Sequence, residues 1–567
     1  MLKRDALLRS IVVASIASTG FLSFVASVDA NNNVSSSTAA APIAALKNLE
    51  PAEKPIAAVI DLYVDQKLAA AKVKPSPPAD DANLLRRIML DLVGRVPTPL
   101  EVKEFVESKA PNKTELLVDR LIASEAFVDH QVNEFDWLLN EGKGTLRPYL
   151  ADAFRERYGW DRIFRDLILA EGASKDDKKA QGHEAVEFLK PRMKDHDRLT
   201  NDVSSLFFGV NISCAQCHDH PLAKDWKQDH FYGLKSFLAR TYENGGFVGE
   251  RDYGLVNYLT PAGESRQAKL MFLTGHTPDE PKRDEPDNKA KKAEQEMLKK
   301  LADKKQAPPK PSFSRRQLLV NTALGNGQRD VFARSIVNRL WARFFGQGIV
   351  SPVDQMHSAN PPSHPELLAW LARDMADHNF DLPRLMRGLV LSKAYGRDSR
   401  WTAGERPAPE LFAVAQVRPL SPHQYAASLR IATADPEMWT KLTDDKTRMQ
   451  RATSLAGSAR SWASSFAPLT DNFQIGVGES LLLANDARIY SEFLSDAGDR
   501  LVGRMKTLNT PHEQAELAIT TVLGRPADAE ETKLLAEYMT GRKDRALEAA
   551  RQVVWSLLTS SEFRFNY

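Results

Sequence analysis

The sequence predicts a mainly α protein: two helical domains joined by a charged linker, with little β-structure. Apolar residues recur at spacings of three and four through most of the chain, as one buried helix face requires, while the two-residue alternation of a half-buried strand is scarce. Between residues 243 and 312 the composition shifts to glycines and then to a Pro-bounded tract of Lys, Glu, Asp, Ala and Gln, which reads as a solvated helix or linker. At 567 residues there is ample chain for a sizeable core.

Residues 1–30 read as a secretory signal, with an uncleaved membrane anchor as the alternative because the apolar stretch is close to the length that spans a bilayer. Lys3, Arg4 and Arg9 give its positive start, Ile11 to Val28 is mostly apolar and small, and Val28-Asp29-Ala30 is a small-residue cleavage site. No twin arginine and no cysteine accompany the apolar run, so the expected route is general secretory export to the periplasm or cell envelope, with no membrane span after cleavage. Residues 31–55, rich in Asn, Ser, Ala and Pro, suit a flexible tether.

The first helical domain spans 56–242. A helical region begins near Ile56. Leu84, Leu85, Ile88, Met89 and Leu92 then make one buried face, with Arg86, Arg87 and Asp91 near its flank, and Gly94 and Pro97 stop the helix. Thr98 is a candidate N-cap with Pro99 at the first helical position. Leu116 to Ile122, Tyr149 to Leu169 and Leu199 to Val210 repeat the pattern, and Pro221 predicts a break. Within 243–312, Leu270 to Leu273 is a candidate strand.

The second helical domain spans 313–567. Phe332, Ile336, Val337, Leu340, Trp341, Phe344 and Phe345 form an apolar stripe ended by Gly346 and Gly348, a pattern expected of core. Pro365 to Asp377 follows with Ser363 as a candidate cap, and residues 513–525 and 543–563 complete the helical pattern. His357, His364 and His423, each near a proline, are expected to be hydrogen-bonded structural histidines.

Lys and Arg total 76 against 74 acids, so bulk charge gives no reason to expect nucleic-acid binding. The two cysteines, three residues apart, cannot be a disulfide framework. They lie in Cys214-Ala215-Gln216-Cys217-His218, and C-x-x-C-H is the pattern of covalent haem c attachment. On a helical turn, residues i, i+3 and i+4 share a face, so Cys214 and Cys217 could bond the haem vinyl groups while His218 ligates the iron. Met193, Met271, Met356, His196 and His230 are candidates for the distal position, and a five-coordinate iron is equally allowed. Three other readings use the same residues: a zinc or copper site of Cys214, Cys217, His218 and His220, a Cys214–Cys217 disulfide, and a free dithiol. No Gly-rich phosphate loop, H-E-x-x-H or Gly-x-Ser-x-Gly motif is present, and no catalytic residue can be chosen.

The run Ser213 to Pro221 (SCAQCHDHP), followed by Gln228-Asp229-His230-Phe231-Tyr232-Gly233-Leu234, resembles the planctomycete-type cytochrome-like domain of exported bacterial proteins. Pro75 to Asp80 and Leu90 to Gly94 with Pro97-Thr98 are similar to the opening of that domain. Phe332-Ala333-Arg334, Val337 to Trp341, Phe345 to Gly348, Pro361 to Leu368 and the ending Leu557 to Phe563 resemble the C-terminal domain that usually accompanies it. The resemblance implies an exported, mostly helical protein of unknown function with a cytochrome label, and an enzyme acting on extracellular polysaccharide or sulfated substrate is suggested only by the company such families keep. The expectation is an exported c-type cytochrome-like protein that binds one haem and transfers electrons to a redox partner or other exported protein. The alternative is a cell-envelope binding or structural protein with a Cys/His metal site or disulfide at the same motif.

Overall fold

Cap chemistry turns the apolar stripes into discrete helices. In the computed structural model, α1 (Ile56–Ala71) is followed by α2 (Asp81–Val93), which Asp80 caps by accepting from Asn83 N–H and Gly94 ends in the left-handed region at φ 69°. Thr98 and Glu101 form a reciprocal capping box at α3 (Pro99–Glu107), as their spacing predicts. The structure describes residues 49–170, 183–221, 223–466 and 476–567. The expected signal and residues 31–48 of the tether lie outside them.

Next come α4 (Lys113–Ile122), α5 (Glu125–Asn140), α6 (Arg147–Arg155), α7 (Trp160–Leu169), α8 (His196–Phe208) and α9 (Gln228–Leu238). The expected helix from Tyr149 to Leu169 is therefore two helices. Residues 156–159 break it: Arg157 takes positive φ at 53° and Gly159 is an extended N-cap, where a side chain would lie 2.2 Å from the carbonyl oxygen of Asn379. Strands occur at β1 (Thr241–Asn244), β2 (Phe247–Glu250), β3 (Asn257–Leu259) and β4 (Ser265–Gln267), paired as two antiparallel hairpins. Leu270 to Leu273 is not a strand; Leu270, Phe272 and Leu273 are buried as irregular chain. The charged tract contains α10 (Asn288–Asp303), whose one buried residue is Leu298, so its solvated character is as expected.

The helices that follow are α11 (Arg315–Leu324), α12 (Arg329–Phe345), α13 (Pro365–Asp377) and α14 (Leu382–Val390). Ser363 does not cap α13: its hydroxyl donates to the Ile349 carbonyl, and His364 occupies the cap position without a side-chain bond. The C-terminal region holds α15 (Pro422–Ala432), α16 (Glu437–Thr440), α17 (Asp445–Ser458), α18 (Val477–Asn485), α19 (Ala487–Glu492) and α20 (Leu501–Met505). It closes with α21 (Pro511–Leu523), α22 (Ala529–Thr540), α23 (Ala546–Leu558) and α24 (Ser561–Arg564). The short strand β5 (Arg418–Pro419) pairs with β6 (Phe565–Asn566) at the chain's end.

Two hydrophobic clusters form. The larger runs from Ile56 to Val414, so α11 to α14 pack into the same core as α1 to α9. The aromatic stripe of α12 is core, as expected: Phe332 packs on Phe164 with ring centroids 5.0 Å apart, and stacks on Trp160 at 6.4 Å. The smaller cluster takes residues from Leu420 to Phe563 together with Leu90 and Val96 of the N-terminal half.

Helix α2 links the two clusters and is buried nearly all round. Arg86, Arg87 and Asp91 lie inside the protein rather than at a flank. Arg86 Nη2 donates to the Phe563 carbonyl at 2.9 Å and to those of Glu562 and Phe565 at 3.2 Å, collecting acceptors that the end of α24 leaves open. Asp91 accepts from Arg418 Nη1 and Nη2 at 3.1 and 2.7 Å, from the Tyr395 hydroxyl at 2.7 Å and from Asn566 Nδ2 at 3.0 Å.

Two histidines expected to be structural carry a pH signature. His364 keeps one contact, with the Ser363 hydroxyl at 3.1 Å, and its Nε2 is buried without a partner. Burial, then Lys67, depresses its pKa from 6.5 to about 4; burial, then Arg147 and Arg460, depresses that of His423 to about 4. The folded state thus holds both rings neutral where the unfolded chain protonates them. Their contribution is present above pH 6.5 and is lost as the pH falls through the interval down to 4. Half-buried acids with raised pKa, Asp161 and Asp330 among them, titrate in the opposite sense, so the comparison must be between variants. The His364→Gln/His423→Gln protein is expected to lose less of its urea midpoint than the parent between neutral pH and pH 4. Parallel pH profiles would contradict this.

Candidate functional site

The C-x-x-C-H motif sits on a surface turn whose inner side is apolar. Helix α8 ends at Gly209, in the left-handed region at φ 66°, and a single 3-10 turn follows over Ser213–Gln216. The motif is therefore on a 3-10 turn and not on an α-helical one. Ile212 and Ala215 are fully buried, while Cys214 and Cys217 point outward and are exposed. The turn takes in Cys214, and Cys217 follows it as the C-cap residue, so both thiols flank the same short turn. Asn211 Oδ1 starts the turn by accepting from Ser213 N–H at 3.1 Å and from its hydroxyl at 2.7 Å.

The turn is clamped from below at Gln216. Its carbonyl accepts from the Tyr232 hydroxyl at 3.0 Å and from Gln228 Nε2 at 3.2 Å, both on α9. Its side chain donates to Asp197 on α8 at 2.9 Å, and Lys235 holds the other oxygen of that carboxylate at 2.5 Å. Tyr232 is braced in turn by Tyr258 of β3, with parallel rings 4.2 Å apart, and the Tyr258 hydroxyl donates to Asp229. Burial and that bond push the Tyr258 hydroxyl up to about 12. The run from Gln228 to Leu234 thus supplies the clamp on which the motif rests.

His218 is exposed, and its Nδ1 lies 2.7 Å from the Asp219 carbonyl. A carbonyl only accepts, so Nδ1 carries the proton and Nε2 keeps its lone pair. His220 has a different task. Its Nδ1 accepts from Ala223 N–H at 3.0 Å and its own N–H donates to the Trp226 carbonyl at 2.8 Å, closing the loop after the motif.

A second loop, from the C-terminal half, holds the segment on both sides. Asn211 N–H donates to the Asp354 carbonyl at 2.7 Å, Val210 bridges Gln355, and Met356 N–H donates to the Gly209 carbonyl at 3.1 Å. Beyond the motif, Asp225 accepts from Ser358 N–H at 2.8 Å. The rings of His220 and His357 lie 5.8 Å apart.

Of the distal candidates, His196 Nε2 donates to the Thr241 carbonyl at 2.9 Å and Met193 is buried in the core. Met271 packs against Gly233, and His230 Nδ1 accepts from Lys227 N–H at 3.2 Å. Met356 packs its sulfur against Gly209. Sequence reasoning missed the clamp on the Gln216 carbonyl and the 354–358 loop, because most of these contacts use backbone groups that any residue carries.

The donor set fits covalent haem. Two unpaired, exposed thiols flank one short turn, and the next residue presents an imidazole whose Nδ1 is held by a carbonyl, as ligating histidines require. Among the described residues, no group of three or more His, Cys, Asp or Glu side chains is gathered to hold a metal ion. A large open cleft of about 840 Å³ lies elsewhere, between α3, α5 and α17, and none of the motif residues lines it.

Removing the Tyr232 hydroxyl should loosen the turn by about 1 kcal/mol, the usual net worth of such a bond. Tyr232→Phe is expected to speed alkylation of Cys217 by iodoacetamide in the haem-free chain by a few fold, with Cys214 less affected. Identical rates in the two proteins would show that the clamp does not hold the turn.

Residues 59–243 match the family model PSCyt2, described as a protein of unknown function (DUF1549). Residues 315–462 match PSD1, likewise a protein of unknown function (DUF1553). No curated protein and no solved structure matches the chain. Among the described residues, no helix is long and apolar enough to cross a membrane.

Proposed function

The chain belongs to the planctomycete-type proteins that pair a PSCyt2 domain with a PSD1 domain, and from that premise we propose that it is an exported, c-type cytochrome-like protein carrying one covalent haem and transferring electrons. The observation that carries this reading is the turn itself: two free, exposed thiols flanking it, followed by an imidazole with Nδ1 committed to a carbonyl. Cys214 and Cys217 would hold the haem, each thiol adding S–H across a vinyl group, sulfur to one carbon and hydrogen to the other, so that attachment would lose no atoms. His218 would hold the iron through Nε2, with its ring oriented by the Nδ1 bond to the Asp219 carbonyl. Bound haem supplies a one-electron couple, with a potential set by axial ligands and burial.

The exposed edge of the motif suits exchange with a redox partner at the surface, and export to the periplasm or envelope provides the maturation chemistry. The test is a dithionite-reduced minus oxidised spectrum of the protein purified from a host that matures haem c. Sharp, reversible bands support electron transfer, and a colourless protein overturns it. Zinc and copper analysis with a thiol count then separates a Cys/His metal site from a disulfide.

A further inference from the structure

The site is built by both halves of the chain. The motif lies in the PSCyt2 region, and the loop that brackets it, residues 354–358, lies in the PSD1 region. We propose that this loop supplies the second axial ligand of the haem, His357, so that the two domains complete one centre. This rests on the reading in which haem is attached at Cys214 and Cys217.

Four observations single out His357. Its ring lies beside that of His220, two residues after His218. It is framed by contacts on either side, with Met356 bonded to Gly209 before the motif and Ser358 bonded to Asp225 after it. Its Nδ1 is closed to solvent and makes no hydrogen bond. An imidazole nitrogen left that way is unfavourable, and coordination would satisfy it. The loop that carries it is also tied to the segment leading into the motif by the bridge between Val210 and Gln355.

The competing side chains are committed elsewhere. His196 is spent on the Thr241 carbonyl, His230 receives Lys227 N–H, and the Met356 sulfur is packed on Gly209. Ligation by His357 donates a lone pair to the open position of the iron and changes no oxidation state. It also gives the pairing of the two domains in one chain a physical reason, since either alone would leave the centre half-built.

The test uses the full-length haem-loaded protein. A haem stain after denaturation reports attachment, and absorption spectra with carbon monoxide report the sixth position. The wild type is expected to be low-spin when reduced and slow to bind carbon monoxide. His357→Ala should keep its stained haem, become high-spin and bind carbon monoxide at least tenfold faster. His357→Met should return a low-spin spectrum with a higher midpoint potential. His230→Gln should behave as wild type. Haem retained in His357→Ala with unchanged spectrum and carbon monoxide kinetics overturns the assignment, as does a wild type that is already high-spin. A wild type with no stained haem overturns the electron-transfer reading and this assignment together.

Discussion

Asp91→Ala is expected to destabilise the protein by about 3–5 kcal/mol, the cost of stripping one partner from a buried ion pair. The carboxylate is only 3% exposed and satisfies four donors: two Arg418 nitrogens, Tyr395 and Asn566. Alanine leaves the half-buried Arg418 guanidinium without its hydrogen-bonded carboxylate and removes the Asn566 bond that helps tie β6 to α2. The substitution should lower the urea midpoint sharply and expose the C-terminal residues to carboxypeptidase. The Asp91→Leu/Arg418→Met double variant removes both charges and should recover much of the loss, because replacing the pair with packed apolar groups avoids the unpaired ion. A single variant as stable as the parent would show that this buried network does not tie the chain's end to α2.

Cys214→Ala and Cys217→Ala are expected to change function more than fold. Both side chains are exposed, so each substitution should alter stability by less than about 0.5 kcal/mol. Each should nevertheless cut covalently held haem at least tenfold, and the double variant should abolish it, because in the proposed reading the two thioethers would be the only covalent hold on the group. A host-matured Cys214→Ala/Cys217→Ala protein that still carries haem through denaturation would contradict attachment at this motif.

Much of this was legible in the sequence where the cause is local. Thr98-Pro99-Leu100-Glu101 forms its capping box from neighbours alone, and Gly94 and Gly209 end helices because each must adopt positive φ. The motif likewise needs only adjacent residues. What the sequence could not carry is distance along the chain. Arg86 meets its carbonyl partner 477 residues away and Asp91 meets Arg418 327 residues away, so a helix that periodicity marks as one-sided is buried throughout. The 3-10 turn of the motif follows from packing Ile212 and Ala215 inward, which no local preference encodes. The 354–358 loop is held mainly through main-chain groups and Asp225, and was invisible for the same reason.

The central claim is covalent attachment at Cys214 and Cys217, and an intact-mass measurement of the exported protein, with a thiol titration, tests it most directly. The account predicts the mass of the mature chain plus one haem with nothing lost and no titratable thiol, because both S–H groups have been added across vinyl bonds. The mature chain alone, with two titratable thiols or two hydrogens fewer, would contradict it.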